Sequence, residues 1–239
     1  MPLKGLIQVY TGDSEEVNYA PFGLALRAAG QNLRTYVACL RPMDLLDGVT
    51  GASARLKGRL FVDRVRTGGA DEIETALRRA GREILEGNFD IVILEGIHSM
   101  IEEGAVPLDR VLDMMRRRPE HVELVLSGPG AHEETMAMAD LITRMECRYP
   151  QGSSRDGSPG HVPAPTEVVT GNGKGKTTYC LGKSMLMSCL GSRTSFLQFI
   201  KSSKPYGEVR AAEWIPSLDI QSMGEGFLDR NAPVQERRH

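Results

Sequence analysis

The sequence predicts an α/β protein built on a mostly parallel sheet flanked by helices. Three observations carry this. Short runs of bulky aliphatic residues alternate with stretches of helical period. A glycine- and lysine-rich turn lies between an apolar run and a helical pattern. The opening pattern of the chain recurs in its second half.

The elements follow in order. Leu6–Tyr10 reads as a buried strand, Thr35–Leu40 as a second and Leu60–Val65 as a third. Ile91–Leu94 is the clearest, four aliphatics in a row as a central parallel strand requires. Val122–Leu126 and Leu141–Met145 follow. Between them, Asp71-x-x-Glu74 resembles a capping box, and Ile73, Leu77, Ala80 and Ile84 share one helix face. Leu108, Val111, Leu112 and Met115 form another such stripe after Pro107, a residue suited to a helix start. Met114, Met115, Met136 and Met138 read as core filler, and Arg116–Arg118 as a solvated helix end that offsets the dipole.

Residues 150–165 read PQGSSRDGSPGHVPAP. So little apolar surface cannot offset its ordering entropy, which predicts a flexible linker. The strand–helix pattern then restarts with Thr166–Thr170 as a strand, a helix from Lys176 to Leu190, and Ser195–Ile200 as a second strand. The chain is thus expected to hold a domain over 1–149, the linker 150–165, and a partial second domain over 166–239. Half a parallel sheet cannot cover its own faces, so the second unit is expected to borrow cover from the first domain or another chain, or to continue past His239. Gln235–His239 looks like the beginning of a helix, which suggests a longer natural chain.

The two copies align as Val9-Tyr10-Thr11-Gly12-Asp13-Ser14-Glu15-Glu16-Val17-Asn18 and Val168-Val169-Thr170-Gly171-Asn172-Gly173-Lys174-Gly175-Lys176-Thr177. Such a long repeat means a duplicated domain and not a solenoid.

Thr170-Gly171-Asn172-Gly173-Lys174-Gly175-Lys176-Thr177-Thr178 reads as a phosphate-binding loop. Glycines let successive N–H groups turn toward phosphate oxygens, and the helix N-terminus adds partial positive charge. Lys176 is placed to reach the outer phosphates and Thr177 to ligate Mg²⁺. Thr170 stands where the usual pattern has its first glycine. The first copy fails the same test: Val17 replaces the lysine, Asn18 the metal-binding threonine, and Glu15 and Glu16 oppose a triphosphate. Its helix is expected to start near Pro21 and to be the shorter of the two.

Glu95 closes the strand Asp90-Ile-Val-Ile-Leu-Glu95 and is a candidate metal-positioning acid, with a structural strand end as the alternative. His98 reads as a loop histidine, and Ser127-Gly128-Pro129-Gly130 as a tight strand-to-helix turn. The composition, 29 basic against 31 acidic residues, gives a net charge of −2 and no field directed at nucleic acid or membrane. No apolar run reaches the roughly 18 residues needed to span a bilayer, and the N-terminus lacks a signal-peptide layout. The four cysteines form no C-x-x-C pair, so a soluble cytoplasmic protein is expected.

Taken together, these segments resemble the P-loop type of ATP:corrinoid adenosyltransferase. The resemblance rests on the loop Thr170–Thr178, on Gln198-Phe199-Ile200-Lys201 and on Met223-Gly224-Glu225-Gly226-Phe227 in the second copy. In the first copy it rests on Gly23–Gly30, Arg118–Gly128 and Ala139–Met145. It implies a RecA-like P-loop fold and transfer of the adenosyl group of ATP to the Co(I) of cob(I)alamin or cobyrinic acid a,c-diamide. Triphosphate would leave, held by Lys174, Lys176 and Thr177 with Mg²⁺ or Mn²⁺. It further implies a homodimer or an intrachain pseudo-dimer, and a flavoprotein that reduces Co(II). The family's Asp-Glu after the central strand stands here as Glu95-Gly96. Two other readings are a non-catalytic module that binds ATP or corrinoid, and a generic P-loop ATPase or kinase.

Overall fold

The computed structural model describes residues 4–42, 46–148, 166–200 and 206–224. The expected linker 150–165, the C-terminal helix start at Gln235 and most of the loop Met223–Phe227 lie outside these residues. In the first copy the order is β1 (Ile7–Gly12), a 3-10 turn (Glu15–Asn18), α1 (Tyr19–Gly30), β2 (Thr35–Cys39), α2 (Leu46–Arg55) and β3 (Leu60–Arg64). Then come α3 (Ala70–Glu86), β4 (Ile91–Glu95), α4 (Ile97–Glu102), α5 (Leu108–Arg117), β5 (Glu123–Ser127), α6 (Glu133–Ala137) and β6 (Leu141–Met145). The second copy supplies α7 (Lys176–Cys189), β7 (Thr194–Gln198), α8 (Gly207–Ala212) and β8 (Leu218–Ser222).

The six strands of the first copy form one sheet in the order β3-β2-β4-β5-β1-β6, every neighbouring pair parallel. This α/β architecture is consistent with a RecA-like P-loop fold. All five residues of β4 are buried, as its aliphatic run demands. Two apolar clusters cover the two faces. One holds α3, α5 and the residues Tyr36, Ala38, Val92 and Leu94. The other holds Val37, Ile91, Ile93 and Val125 against α1, α2, α7 and α8.

The second copy therefore borrows cover from the first. Its strands β7 and β8 form a separate parallel pair. Leu218 and Ile220 point into the shared cluster, while Leu197 on the other face is 47% exposed. β8 and α8 went unread in the sequence, although Leu218 and Ile220 alternate with polar residues there. Conversely, Thr166–Thr170 is no strand, and Val168 is 80% exposed. Its counterpart β1 is held between β5 and β6, and no equivalents of those neighbours exist among the described residues of the second copy.

The two copies meet through paired glycines. A Cβ on Gly23 of α1 would stand 1.8 Å from the Thr178 carbonyl oxygen, and one on Gly182 of α7 would stand 1.9 Å from that of Tyr19. Thr178 and Tyr19 each lie one helical turn before the opposing glycine, so the contact is self-complementary, as across a two-fold axis. A second matched pair flanks it: a Cβ on Gly207 of α8 would meet the Arg27 carbonyl oxygen at 2.2 Å, and one on Gly48 of α2 that of Leu186 at 2.8 Å.

Several local expectations are corrected. The start of α3 is not a capping box: Gly69 is the N-cap residue, and Glu72 accepts from Arg66 N, Thr67 N and Thr67 Oγ1. Glu74 pairs with Arg110 instead. Arg118 is no solvated helix end, since its buried guanidinium donates to the carbonyls of Pro119, Val122 and Gly5. His98 lies in α4, fully buried, and not in a loop. Helix α1 begins at Tyr19, with Pro21 inside its first turn, and is shorter than α7 as expected. Among the described residues no helix is long and apolar enough to cross a membrane.

Candidate functional site

The loop Thr170–Gly175 leads into α7, and two of its glycines carry the conformations only glycine adopts freely. Gly171 has φ 131° and Gly175, the N-cap residue of α7, φ 107°. A Cβ at Gly171 or Gly173 would meet nothing within 4 Å, so the upper side of the loop is open. Gly175 is the opposite case: a Cβ there would lie 2.7 Å from Thr143 Cγ2 and 3.2 Å from Met145 Cε. The start of α7 thus presses on β6, the edge strand of the first copy.

Lys176 folds back over the loop, its Nζ donating to the carbonyls of Gly171 at 2.7 Å and Gly173 at 2.6 Å. Lys174 and Thr177 are exposed at the same end, as are Thr170 and Asn172. Thr178 is buried and belongs to the contact with α1. The arrangement offers an open backbone turn, an ammonium and a hydroxyl at a helix start, which suits a polyphosphate. For a metal it offers one hydroxyl, that of Thr177. Mg²⁺ commonly completes its shell with phosphate oxygens and water, so this donor set fits a metal that arrives with its nucleotide. Among the described residues no group of three or more His, Cys, Asp or Glu is placed to hold a metal ion.

Behind the loop lies a network the sequence did not reveal. Glu167 accepts from Tyr179 Oη at 2.6 Å and from Lys183 Nζ. Burial would raise the Glu167 carboxyl, but these two donors outweigh it and hold it below its usual range. Tyr179 packs edge-on against Tyr19 of the first copy. Lys183 stands two helical turns beyond Lys176, a weak signal taken alone.

Glu95 is not brought to this loop. It closes β4, three strand spacings from β6, or about 14 Å across the sheet. It is buried, its Oε2 has no hydrogen-bond partner among the described residues, and burial together with the charge of Glu15 pushes its pKa up to about 8, against a weaker opposing pull from Arg41. Nearby, His98 is pushed down to about 4 by burial, with the Leu126 backbone pulling weakly the other way. Glu95 instead faces the altered loop of the first copy. That loop is closed by its own side chains: Asp13 accepts from Cys147 N at 2.8 Å, Thr11 Oγ1 from Ala131 N at 3.1 Å, and Val17 is buried in the core.

A model of the family ATP:corrinoid adenosyltransferase BtuR/CobO/CobP matches residues 45–153 and 165–239, one segment in each copy. An uncharacterised protein of Nostoc sp. is 28% identical over 243 residues, covering 86% of this chain and 61% of its own length. The chain therefore spans about three-fifths of that relative. The corrinoid adenosyltransferase of Escherichia coli is 24% identical over 155 residues, covering 59% of this chain and 76% of its own. That of Salmonella typhimurium is 24% identical over 150 residues with the same coverage. With most of its length matched in two segments by one family, this chain belongs to the ATP:corrinoid adenosyltransferases.

Proposed function

We propose that the chain binds ATP at Thr170–Thr178 and takes part in transferring its adenosyl group to the Co(I) of a corrinoid, cob(I)alamin or cobyrinic acid a,c-diamide. The observation that carries this reading is the open glycine turn with Lys176 and Thr177 at the start of α7. In the reaction the Co(I) electron pair forms a bond to the 5′ carbon of ATP. The bond from that carbon to the triphosphate oxygen breaks, and triphosphate leaves with its electrons. Negative charge thus builds on the leaving group. The ammonium of Lys176, freed from the loop carbonyls, and the loop N–H groups stabilise it, with Lys174 at the rim. Thr177 would hold Mg²⁺ or Mn²⁺, an ion that when bound would supply charge withdrawal from the leaving triphosphate. Cobalt is the nucleophile, so no protein nucleophile is needed.

The first copy takes no nucleotide in this reading, because its loop lacks the lysine, is closed by Thr11, Asp13 and Val17, and carries the negative charge of Glu15. Its role is to support α7, and the matched glycine contacts favour an intrachain pseudo-dimer. The corrinoid comes reduced from a Co(II)-reducing flavoprotein. The position of Glu95, across the sheet from the loop, favours one second reading: a module that binds ATP or corrinoid without catalysis. An anaerobic assay with chemically reduced Co(I) corrinoid, ATP and Mg²⁺ separates the two. Transferase activity yields adenosylcorrinoid and triphosphate together and is lost in Lys176→Ala. ATP binding with neither product establishes the binding module, and release of ADP establishes an ATPase or kinase instead.

A further inference from the structure

The altered loop of the first copy carries a site of its own. Asn18 ends the 3-10 turn and stands where the second copy has Thr177, the metal-ligand position of an intact loop. Glu95 stands at the strand end where such folds carry the acid that positions the metal. Strand alternation sets Glu95 on the face of Ile91 and Ile93, and Ser127 on the face of Val125. These three aliphatics pack in the cluster that contains Val17 and Ala20, so Glu95 and Ser127 lie beneath the start of α1. Three buried oxygens there have no partner among the described residues: Asn18 Oδ1, Glu95 Oε2 and Ser127 Oγ. Glu15 completes the group from above. One carboxylate oxygen accepts from Asn18 Nδ2 at 2.8 Å, and the other from Ser99 Oγ at 3.3 Å. Glu15 is 54% exposed, which leaves the group open to solvent on one side.

We propose that Glu15, Asn18, Glu95 and Ser127 hold a hard divalent cation, Mg²⁺ or Mn²⁺, where the Glu15 carboxylate takes the place of a nucleotide phosphate. All four donors are oxygens, the set that hard cations choose over thiolate and imidazole. Three unpartnered buried oxygens are costly unless something binds them, and a cation with its remaining waters satisfies all three. The competing charges do not fill the role. Arg41 lies 3.8 Å from Glu15 but 2.6 Å from Glu103, its closer partner. The N-terminus of α1 opposes a cation with about half a unit charge, less than the full charge of the Glu15 carboxylate alone. The duplication thus leaves two metal positions of different kinds: one that needs a nucleotide, and one that brings its own anion. This inference does not depend on adenosyl transfer, because it concerns the nucleotide-free chain.

The test is a Mn²⁺ titration of the full chain without nucleotide, read by the paramagnetic resonance of free Mn²⁺. One ion per chain is expected, retained in Lys176→Ala and Thr177→Ala. Glu15→Gln should weaken it tenfold or more. That variant changes a solvent-facing carboxylate to its isosteric amide and leaves the core untouched. Asn18→Ala and Glu95→Gln should weaken it likewise, with circular dichroism confirming the fold. Absence of uptake at millimolar Mn²⁺ overturns the proposal. So does unchanged affinity in Glu15→Gln, or loss of the ion in Thr177→Ala.

Discussion

The glycine seam between the copies should be the most sensitive point of the fold to a single added methyl group. In Gly23→Ala the new Cβ would stand 1.8 Å from the Thr178 carbonyl oxygen and 2.8 Å from Gly182 N, where ordinary contact begins near 3.4 Å. The helices must part by about 1.6 Å along that line, because both obstacles are backbone and neither can rotate away. Overpacking of this kind costs about 1–3 kcal/mol, and the immovable partner places it at the upper end. Alanine returns about 1 kcal/mol through helix propensity. Parting the helices also loosens the packing of Ala20, Leu181 and Met185, so the net loss is about 2–3 kcal/mol. Gly182→Ala should cost a similar amount, since its Cβ meets the Tyr19 carbonyl oxygen at 1.9 Å. The double variant should lose less than the sum, because one separation relieves both clashes. The assay is urea unfolding followed by the fluorescence of Trp214, the single tryptophan. Its ring packs against the shared core, 4.8 Å from Lys57 Nζ of the first copy, so it reports docking. With a slope near 2–3 kcal/mol per molar urea, the midpoint should fall by about 1 M. Gly173→Ala, with open space around its Cβ, should stay within about 0.5 kcal/mol of the parent. An unchanged midpoint in Gly23→Ala, with unchanged Trp214 emission, would refute the account of the seam.

Arg118→Met should destabilise by about 3 kcal/mol in the same urea assay, because it strips donors from the carbonyls of Gly5, Pro119 and Val122. His98 makes stability depend on acid: its folded pKa of about 4 lies below the unfolded 6.5, so the unfolded chain binds more protons between these values. Stability is therefore full above pH 6.5 and falls as the pH drops toward 4, by about 3 kcal/mol, and His98→Gln should flatten that part of the profile. Leu197→Lys should change the urea midpoint little, since the outer face of β7 already lies open to water, and a large loss would show that this face is covered in solution.

The fold of the first copy was legible in its sequence wherever burial on both sides imposed an unbroken aliphatic run. Ile91–Leu94 named the central strand without help from any partner. The loop Thr170–Thr178 could be proposed from sequence because phosphate binding needs glycine, lysine and threonine in a fixed local order, and local order is what a sequence records. The failures share a cause. Thr166–Thr170 has the composition of a strand and, among the described residues, no strand to pair with. Asp71 and Glu74 have the spacing of a cap, yet a neighbouring turn and Arg110 claim this helix start. Arg118 looks like a surface charge until the carbonyls it holds, as far away as Gly5, are known.

The sequence by itself indicated the repeat, the strands of the first copy, a candidate phosphate loop and the family, because each is written in residues close together along the chain. Only the tertiary structure decided how the copies join. The glycines of α1 and α7 are unremarkable singly, and only their opposition across a shared helix seam makes a methyl group intolerable there. It also decided that Glu95 lies beside the first copy's own loop, close to Glu15. Strand order, which no local pattern encodes, sets that carboxylate three strands from the edge on which the phosphate loop rests.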